Sequence, residues 1–193
     1  MRVAILSLVL ALCFCTPALM AQSDHVEVGV FADYFNLSRT TPNINYVGLG
    51  ARAGFNVNAH VQIEAEMSYS FERNFTSIFS DGLNTQFVRS HVRPLHGLFG
   101  PKFQTSAGPF RAFATFKAGF VNFNTSNDNV PNGFKGALGS VTDGNTRAAI
   151  YPGLGVEGFW GPFGLRLDGG DEIYFDHGAR NNLKATFGPV IRF

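Results

Sequence analysis

The chain has 193 residues, of which 45% are hydrophobic and 14% aromatic, with 22 glycines and 21 phenylalanines. Lys and Arg number 15 against 14 Asp and Glu, which gives a formal net charge of +1 at pH 7. This balance excludes the basic footprint of a nucleic-acid-binding protein. Many glycines together with many aromatic residues are typical of all-β folds with short strands.

The N-terminal segment has the organisation of a secretory signal peptide. Arg2 supplies a positive charge, residues 3–15 are almost entirely apolar, and Ala21 offers a small residue for cleavage. An apolar run of about 13 residues is shorter than the roughly 20 that a membrane-spanning helix needs. We therefore expect a cleaved signal peptide over residues 1–21 and one mature domain over residues 22–193. Both cysteines of the chain lie in the signal peptide, so we expect no disulfide and no thiolate metal site in the mature domain.

Eight segments of the mature chain alternate between apolar and small or polar residues. Because successive side chains of a strand point to opposite faces, this period of two predicts β-strands. The third segment is the clearest, since Val61, Ile63 and Ala65 alternate with Gln62 and Glu64. The predicted strands cover residues 26–35, 45–57, 61–72, 88–104, 109–123, 147–160, 163–175 and 182–193.

The gaps between these strands alternate between two lengths. Those at 58–60, 105–108 and 161–162 are short, whereas those near 36–44, 73–87, 124–146 and 176–181 are mostly longer and polar. Short turns at one rim and longer loops at the other are the layout of an outer-membrane barrel. An even strand number places both termini at the short-turn, periplasmic rim, and the loops near 73–87 and 124–146 form the outer surface.

The ionisable residues of the predicted strands fall on one face. A Lys or Arg on the lipid face at mid-membrane would cost roughly 2–4 kcal/mol, and a sheet that spans a bilayer must close because open edges leave backbone groups unpaired. Buried charges need partners, so we expect a salt-bridged polar plug rather than an open channel, with the lumen glycines leaving room for long side chains. The residues predicted to face the lumen are Glu27, Asp33, Arg52, Glu64, Glu66, Lys102, Arg111, Lys117, Glu157, Arg166, Asp168, Lys184 and Arg192.

Aromatic residues gather at the two ends of the predicted strands, as in the belts at membrane interfaces. Near the short-turn rim lie Phe55, Phe103, Phe110, Trp160, Phe163 and Phe193. Near the other rim lie Tyr34, Phe35, Tyr69, Phe71, Phe120, Phe123 and Phe175. Because proline removes a ladder donor, we expect bulges to absorb Pro94, Pro101, Pro152 and Pro189, and we leave the local registers open. Arg89, His91 and Arg93 are placed at or above the outer rim.

Three segments resemble the small outer-membrane β-barrel proteins of the OmpA/OmpX-like superfamily. Residues 181–193, which end in Val190-Ile191-Arg192-Phe193, resemble the C-terminal β-signal that the outer-membrane assembly machinery reads. Residues 96–103 and 110–114 resemble mid-barrel segments of the outer membrane protein β-barrel domain family. The resemblance covers the mature chain and implies an all-β fold, an eight-stranded antiparallel transmembrane β-barrel with up-and-down meander topology.

The chain offers few candidates for chemistry. The histidines, His25, His60, His91, His96 and His177, show no metal-ligand spacing. Ser90 and His91 are adjacent and therefore point to opposite faces of a strand, which places them poorly as nucleophile and base. The acidic segment 168–172 lacks the spaced ligands of an EF-hand loop, so we expect a solvated rim. We predict no catalytic, cofactor-binding or metal-binding residues.

These observations favour a non-enzymatic outer-membrane barrel with a structural or surface-interaction role. Two alternatives stay open: a lipid A-modifying enzyme of the same fold, and a soluble lipocalin-like carrier with charges outside and an apolar cavity. As partners we expect the lipid bilayer, lipopolysaccharide and the assembly machinery, and no nucleic acid. We expect a monomer in the bacterial outer membrane, with both termini in the periplasm and no cofactor.

Overall fold

The structure, a computed structural model, describes residues 25–38, 44–80, 85–105, 108–128 and 146–193. The predicted signal peptide over 1–21 and most of the predicted outer loop over 124–146 lie outside the described residues. Within the described residues, no helix is long and apolar enough to cross a membrane.

The described residues form eleven β-strands. In chain order they are β1 Val26–Leu37, β2 Ile44–Asn58, β3 Val61–Ser70, β4 Arg73–Ser80, β5 Thr85–Gln104, β6 Phe110–Asp128, β7 Thr146–Trp160, β8 Phe163–Asp171, β9 Ile173–Phe175, β10 Ala179–Arg180 and β11 Leu183–Arg192.

The strands form one antiparallel sheet that closes on itself. The first strand, β1, pairs with the last, β11, through positions such as Val28 opposite Ile191. β3 and β4 pair with different parts of the same strand, β5. In the same way, β8 and β9 both pair with β7. β11 pairs with β8, and β10 pairs with β9. The sets β3 with β4, β8 with β9, and β10 with β11 are therefore three interrupted strands of the barrel wall. The predicted eight-stranded up-and-down barrel is therefore confirmed.

The two faces of the barrel wall differ as the alternation predicts. On β3, Gln62, Glu64 and Glu66 are buried inside the barrel, whereas Met67 and Tyr69 are 55% and 43% exposed on the outside. The other large apolar side chains exposed on the outer wall include Val30, Leu49, Phe55, Phe99, Phe103, Phe110, Phe116, Leu154, Trp160, Phe163, Leu167 and Phe187. An exterior this apolar matches acyl chains and not water. The alternative of a soluble carrier needs the opposite arrangement and is excluded.

The predicted outer loop over residues 73–87 is wrong for most of its length. Residues 73–80 form β4, which pairs with β5 from Val92 out to Thr85. β5 in turn pairs with β6 as far as Arg89 opposite Asp128. The predicted strand ends at 88 and 123 therefore fall short of the observed ends.

These extensions continue past the described parts of the neighbouring strands. On the next wall strand, the described part of β7 begins at Thr146, opposite Asn122. We call this part of the sheet, residues 73–80, 85–92 and 123–128, the outer ribbon. Eight residues of extended β5 correspond to about 25 Å. The sequence of this ribbon lacks the strict alternation that marks the wall strands.

Pro94 lies at a bulge, as predicted. Below it, β3 pairs with β5 up to Tyr69 opposite Leu95. Above it, the pairing resumes at Arg73 opposite Val92, so one extra residue lies on the β3–β4 side. The missing N–H of proline is thereby placed where the ladder is already interrupted.

The other three strand prolines are absorbed without a bulge. Beside Pro101, the pairing of β5 with β6 stops at Phe99 and resumes in the same register at Lys102. The pairing of β11 with β1 is interrupted in the same way beside Pro189. Beside Pro152, the partner of β7 changes from β8 to β9. Each proline therefore weakens one neighbouring ladder and leaves the register intact.

Candidate functional site

The interior of the barrel holds the ionisable side chains that the sequence placed there. Of the thirteen predicted lumen residues, all except Arg192 are buried. Arg192 is partly exposed at the rim that carries the first and the last described residues, His25 and Phe193, and its Nε donates to the Gly161 carbonyl at 2.9 Å. Its guanidinium lies over the Phe159 ring, 4.5 Å from the centroid. The lumen assignment is confirmed for twelve residues, and Arg192 closes the lower end.

The lower part of the lumen is built around Glu27 of β1. One carboxylate oxygen of Glu27 lies 2.6 Å from Arg111 Nη1 and the other lies 3.0 Å from Lys102 Nζ. Lys102 also contacts Glu157 Oε1 at 2.7 Å. Inward positions of β1, β5, β6 and β7 thus meet across the barrel, and each acid is shared between neighbouring cations.

Arg166 of β8 connects this lower part to the middle of the lumen. Its Nη1 lies 3.2 Å from Glu157 Oε1, and its Nε lies 2.8 Å from Asp168 Oδ2. It also makes a two-pronged contact with Glu64 of β3, with Nη2 donating to Oε1 at 3.2 Å. Arg52 Nη1 approaches the same Asp168 oxygen at 2.7 Å. This fork geometry is the one that arginine offers to carboxylates.

The upper part of the network ends at a histidine. Lys117 contacts Glu64 and lies 2.6 Å from Glu66 Oε2. Lys184 Nζ lies 3.0 Å from Glu172 Oε2 and 3.8 Å from Glu66 Oε1. His96 Nδ1 lies 2.6 Å from the other oxygen of Glu172. Ion pairs therefore run without a break from Arg111 near the lower rim to Glu172, whose other oxygen contacts this histidine, and the interior is a packed charged core.

Aromatic rings pack between these charges. The Arg52 guanidinium lies 4.1 Å from the centroid of the Phe31 ring, and that of Arg166 lies 4.3 Å from the centroid of Phe113. Glycines make room for the rings: a Cβ on Gly50 would lie 2.3 Å from Phe31, and one on Gly155 would lie 2.3 Å from Phe113. The lumen glycines thus make space for aromatic rings, and the arginines lie on those rings.

Above the network, the barrel is closed by apolar side chains that the sequence reasoning missed. We call this cluster the apolar cap; it consists of Phe35, Leu37, Tyr46, Leu98, Val121, Ala149, Tyr151 and Tyr174, with Ile44, Val92 and Phe123 packed against it. The placing of Phe35 and Phe123 in the outer aromatic belt is wrong. Phe35 is fully buried, and Phe123 packs on Tyr174 with ring centroids 5.4 Å apart. Both have the strand phase of lumen residues, which is the signal that could have found them.

The acidic segment 168–172 is not the solvated rim that the sequence analysis expects. Asp168 is 2% exposed and Glu172 is fully buried, and both belong to the ion-pair network. Glu172 lies between β8 and β9, where its backbone N–H donates to the Asn182 carbonyl at 2.8 Å. Continuing the alternation past Asp168 would have placed it in the lumen. Among the residues that the structure describes, no group of three or more His, Cys, Asp or Glu could hold a metal ion.

The side chains of Ser90 and His91 lie outside the described part of the structure, so the placement of this pair stays a prediction. His96 contributes to the network and to the cap, because its ring also meets the Phe35 ring with centroids 4.7 Å apart. His25 and His60 lie on the lower side of the barrel, at the first strand and at the β2–β3 turn. His177 lies in the β9–β10 turn with a positive φ of 51°.

A closed antiparallel barrel with an apolar outer wall and an ionised interior defines the class of bacterial outer-membrane β-barrel proteins. The family model described as the outer membrane protein beta-barrel domain matches residues 6–186. The chain therefore belongs to this family, and it is an outer-membrane protein. A search of curated protein sequences finds no match.

Several solved outer-membrane proteins share the fold. The attachment invasion locus protein Ail of Yersinia pestis, solved with the heparin analogue sucrose octasulfate, has a TM-score of 0.51 at 12% identity over 89% of this chain and 98% of its own. Neisserial surface protein A has a TM-score of 0.50 at 10% identity over 89% and 99% of the two chains. OprG of Pseudomonas aeruginosa has a TM-score of 0.50 at 10% identity over 89% and 97%. At these identities the likeness concerns the fold alone.

Proposed function

We propose that this protein is a non-enzymatic outer-membrane barrel that is closed to solutes and acts through its outer surface. The observation that carries the proposal is the continuous ion-pair network, which runs from Arg111 to Glu172 with its members buried. A channel needs a hydrated path, and a lumen filled by paired charges and a cap of aromatic rings leaves no such path through the described residues. Without a path for solutes, the protein has a structural role or acts through contacts made outside the membrane.

The orientation of the barrel is part of the proposal. Both ends of the described chain lie at one rim, where the His25 N–H donates to the Phe193 carbonyl at 2.8 Å and the Phe193 N–H to Val26 at 2.8 Å. The turns between β2 and β3 and between β7 and β8 lie at the same rim and are short. Periplasmic turns are the short ones in outer-membrane barrels. We therefore place this rim in the periplasm.

The outer ribbon then points away from the cell. Its three strands continue the sheet beyond the membrane, and surface segments held by a rigid scaffold are where binding functions concentrate. We propose this ribbon as the main surface for contact with partners. We also propose that the barrel is a monomer and that the assembly machinery reads its C-terminal strand, as the resemblance of residues 181–193 implies.

The sealing is tested by conductance. Purified protein inserted into planar bilayers should give no steady current, because no continuous water path crosses the lumen. A matched variant, Lys117→Ala with Arg166→Ala, removes two central cations and is the positive control for an opened lumen. Large, stable channels in the wild-type protein would contradict the proposal.

The enzyme alternative is tested separately. Cells that produce the protein should contain lipid A of the same mass as cells that carry an empty vector. A mass change that disappears on Ser90→Ala or His91→Ala would establish a lipid A-modifying activity and overturn the non-enzymatic assignment.

A further inference from the structure

The outer mouth of the barrel differs from the lumen below it in how its cations are paired. Every cation of the ion-pair network contacts at least one carboxylate; these residues are Arg52, Lys102, Arg111, Lys117, Arg166 and Lys184. At the mouth, Arg73 Nε donates to the Asn45 carbonyl at 3.0 Å, and no carboxylate of the described residues pairs with it. The mouth therefore carries positive charge that the described part of the chain does not neutralise.

Arg180 is the clearest example of a mouth arginine that meets no carboxylate among the described residues. It lies on β10 directly opposite Tyr174 of β9, so both side chains share the inner face of the wall. Its Nε is fully buried and has no hydrogen-bond partner, and its guanidinium meets no carboxylate among the described residues. A partly buried arginine without an acid is costly, because burial of a charge needs compensation.

Arg147 extends the charged patch along the neighbouring strand. It lies opposite Val121 of the apolar cap, and its Nη2 lies 3.1 Å from Asp176 Oδ1. Arg73 reaches the same space, since it is paired with Val92, which packs against the cap. Three arginines thus lie at the mouth, and among the described residues only Arg147 contacts a carboxylate.

The floor of the mouth is the apolar cap. Tyr46 is 1% exposed, yet its hydroxyl has no hydrogen-bond partner, although buried polar atoms are nearly always paired. Ile44, Val92 and Phe123 cover the cap and are only partly buried. Partly exposed apolar side chains lie here beside guanidinium groups, two of which, Arg73 and Arg180, meet no carboxylate among the described residues. This combination matches a molecule with an apolar body and one negatively charged head.

We propose that the outer mouth is a binding site for a small amphipathic carboxylate. Arg180 and Arg73 pair with the carboxylate, since guanidinium groups offer it two parallel donors. The apolar body of the ligand lies on Ile44, Val92 and Phe123, the partly exposed residues that cover the cap. The site rests on the proposed function, in which the lumen below is sealed and the mouth opens to the outside.

The probe is 2-naphthoate, and the protein is the full barrel in lipid nanodiscs. Saturable binding is measured by equilibrium dialysis after the uptake of empty nanodiscs is subtracted. Arg180→Gln with Arg73→Gln should weaken binding by at least about tenfold, because a charged hydrogen bond contributes more than a kilocalorie. Arg93→Gln is the matched control: Arg93 lies near the same rim, contacts Glu72 at 2.5 Å and Tyr69 at 3.1 Å on the outer wall, and its loss should leave binding unchanged.

The neutral analogue 2-naphthamide separates charge from hydrophobic partitioning, and it should bind at least about tenfold more weakly than 2-naphthoate. Heat-modifiable migration on gels verifies that each variant is folded. The proposal is overturned by folded wild-type protein that shows no saturable uptake, or by equal affinity in the double variant. If the barrel conducts ions but binds 2-naphthoate as described, the proposal of a sealed lumen is wrong and the binding site is retained.

Discussion

The lumen and the outer mouth of this barrel use the same residue types in opposite ways. In the lumen, Arg166 contacts Glu64, Glu157 and Asp168, so its charge is fully compensated. At the mouth, Arg180 has a comparable inner-face position but no carboxylate partner among the described residues. The comparison separates cations that carboxylates neutralise inside the barrel from cations for which the described residues provide no carboxylate.

The largest expected loss of stability comes from removing Arg166, the central cation of the lumen. Arg166→Met should lower the free energy of unfolding by about 3–5 kcal/mol, because it leaves three buried carboxylates without their shared partner. The measurement is urea unfolding in lipid vesicles, followed by the fluorescence of Trp160, the single tryptophan. The matched variant Arg180→Met should leave the unfolding free energy unchanged or raise it, because it removes a partly buried charge that meets no carboxylate among the described residues. Equal losses for the two variants would remove the distinction between lumen and mouth.

A charge added to the outer wall has the next largest expected effect. Leu154 is 70% exposed in the middle of β7. Leu154→Arg should cost roughly 2–4 kcal/mol, since the charge would face acyl chains. Leu154→Gln is the control that keeps a polar side chain without the charge. If Leu154→Arg has the stability of the wild-type protein, this part of the wall does not face lipid.

The packing of rings against lumen glycines gives a smaller effect. A Cβ on Gly155 would lie 2.3 Å from the Phe113 ring and 2.6 Å from the Leu167 carbonyl oxygen. Gly155→Ala should therefore destabilise the barrel by about 1–3 kcal/mol through overpacking. Gly169→Ala is the matched control, because the nearest atom to its Cβ would be 3.7 Å away. A stable Gly155→Ala variant would show that Phe113 does not pack as described.

The smallest expected change in unfolding free energy concerns the exposed ion pair on the outer wall. Arg93 and Glu72 lie 2.5 Å apart, with 43% and 33% of their side chains exposed. Glu72→Gln should change the unfolding free energy by about 0–1 kcal/mol, since solvent and salt screen such pairs. The change should shrink further at high salt. A loss as large as that of Arg166→Met would mean that exposure does not separate the two kinds of pair.

The wall of the barrel could be predicted from the sequence because the bilayer imposes a period of two on every wall strand. On β3 the alternation of Gln62 and Glu64 with Val61 and Ile63 corresponds directly to the observed inner and outer faces. The outer ribbon escaped prediction because residues 73–80 pair through backbone groups, which require no pattern of side chains.

The apolar cap could not be predicted from the sequence for a different reason. Phe35 is aromatic and near a rim, which resembles a lipid-facing belt residue, and only its strand phase distinguishes it from one. Ion-pair partners such as Arg166 with Glu64 lie far apart in sequence, on β8 and β3. Phase shows that such residues face the lumen, but the pairing depends on the register and shear of the closed barrel, which no local pattern contains.

The account depends most on the outer wall facing acyl chains while the inner wall is shielded from them. Phe116 is 49% exposed on the outside, and Tyr151 is buried inside, opposite the neighbouring Lys117 at a similar depth. In a Trp160→Phe background, single tryptophans are introduced as Phe116→Trp or Tyr151→Trp, and the protein is placed in lipids brominated along their acyl chains. We predict strong fluorescence quenching for Phe116→Trp and little for Tyr151→Trp. Equal quenching, or quenching of the inner tryptophan alone, would contradict the account.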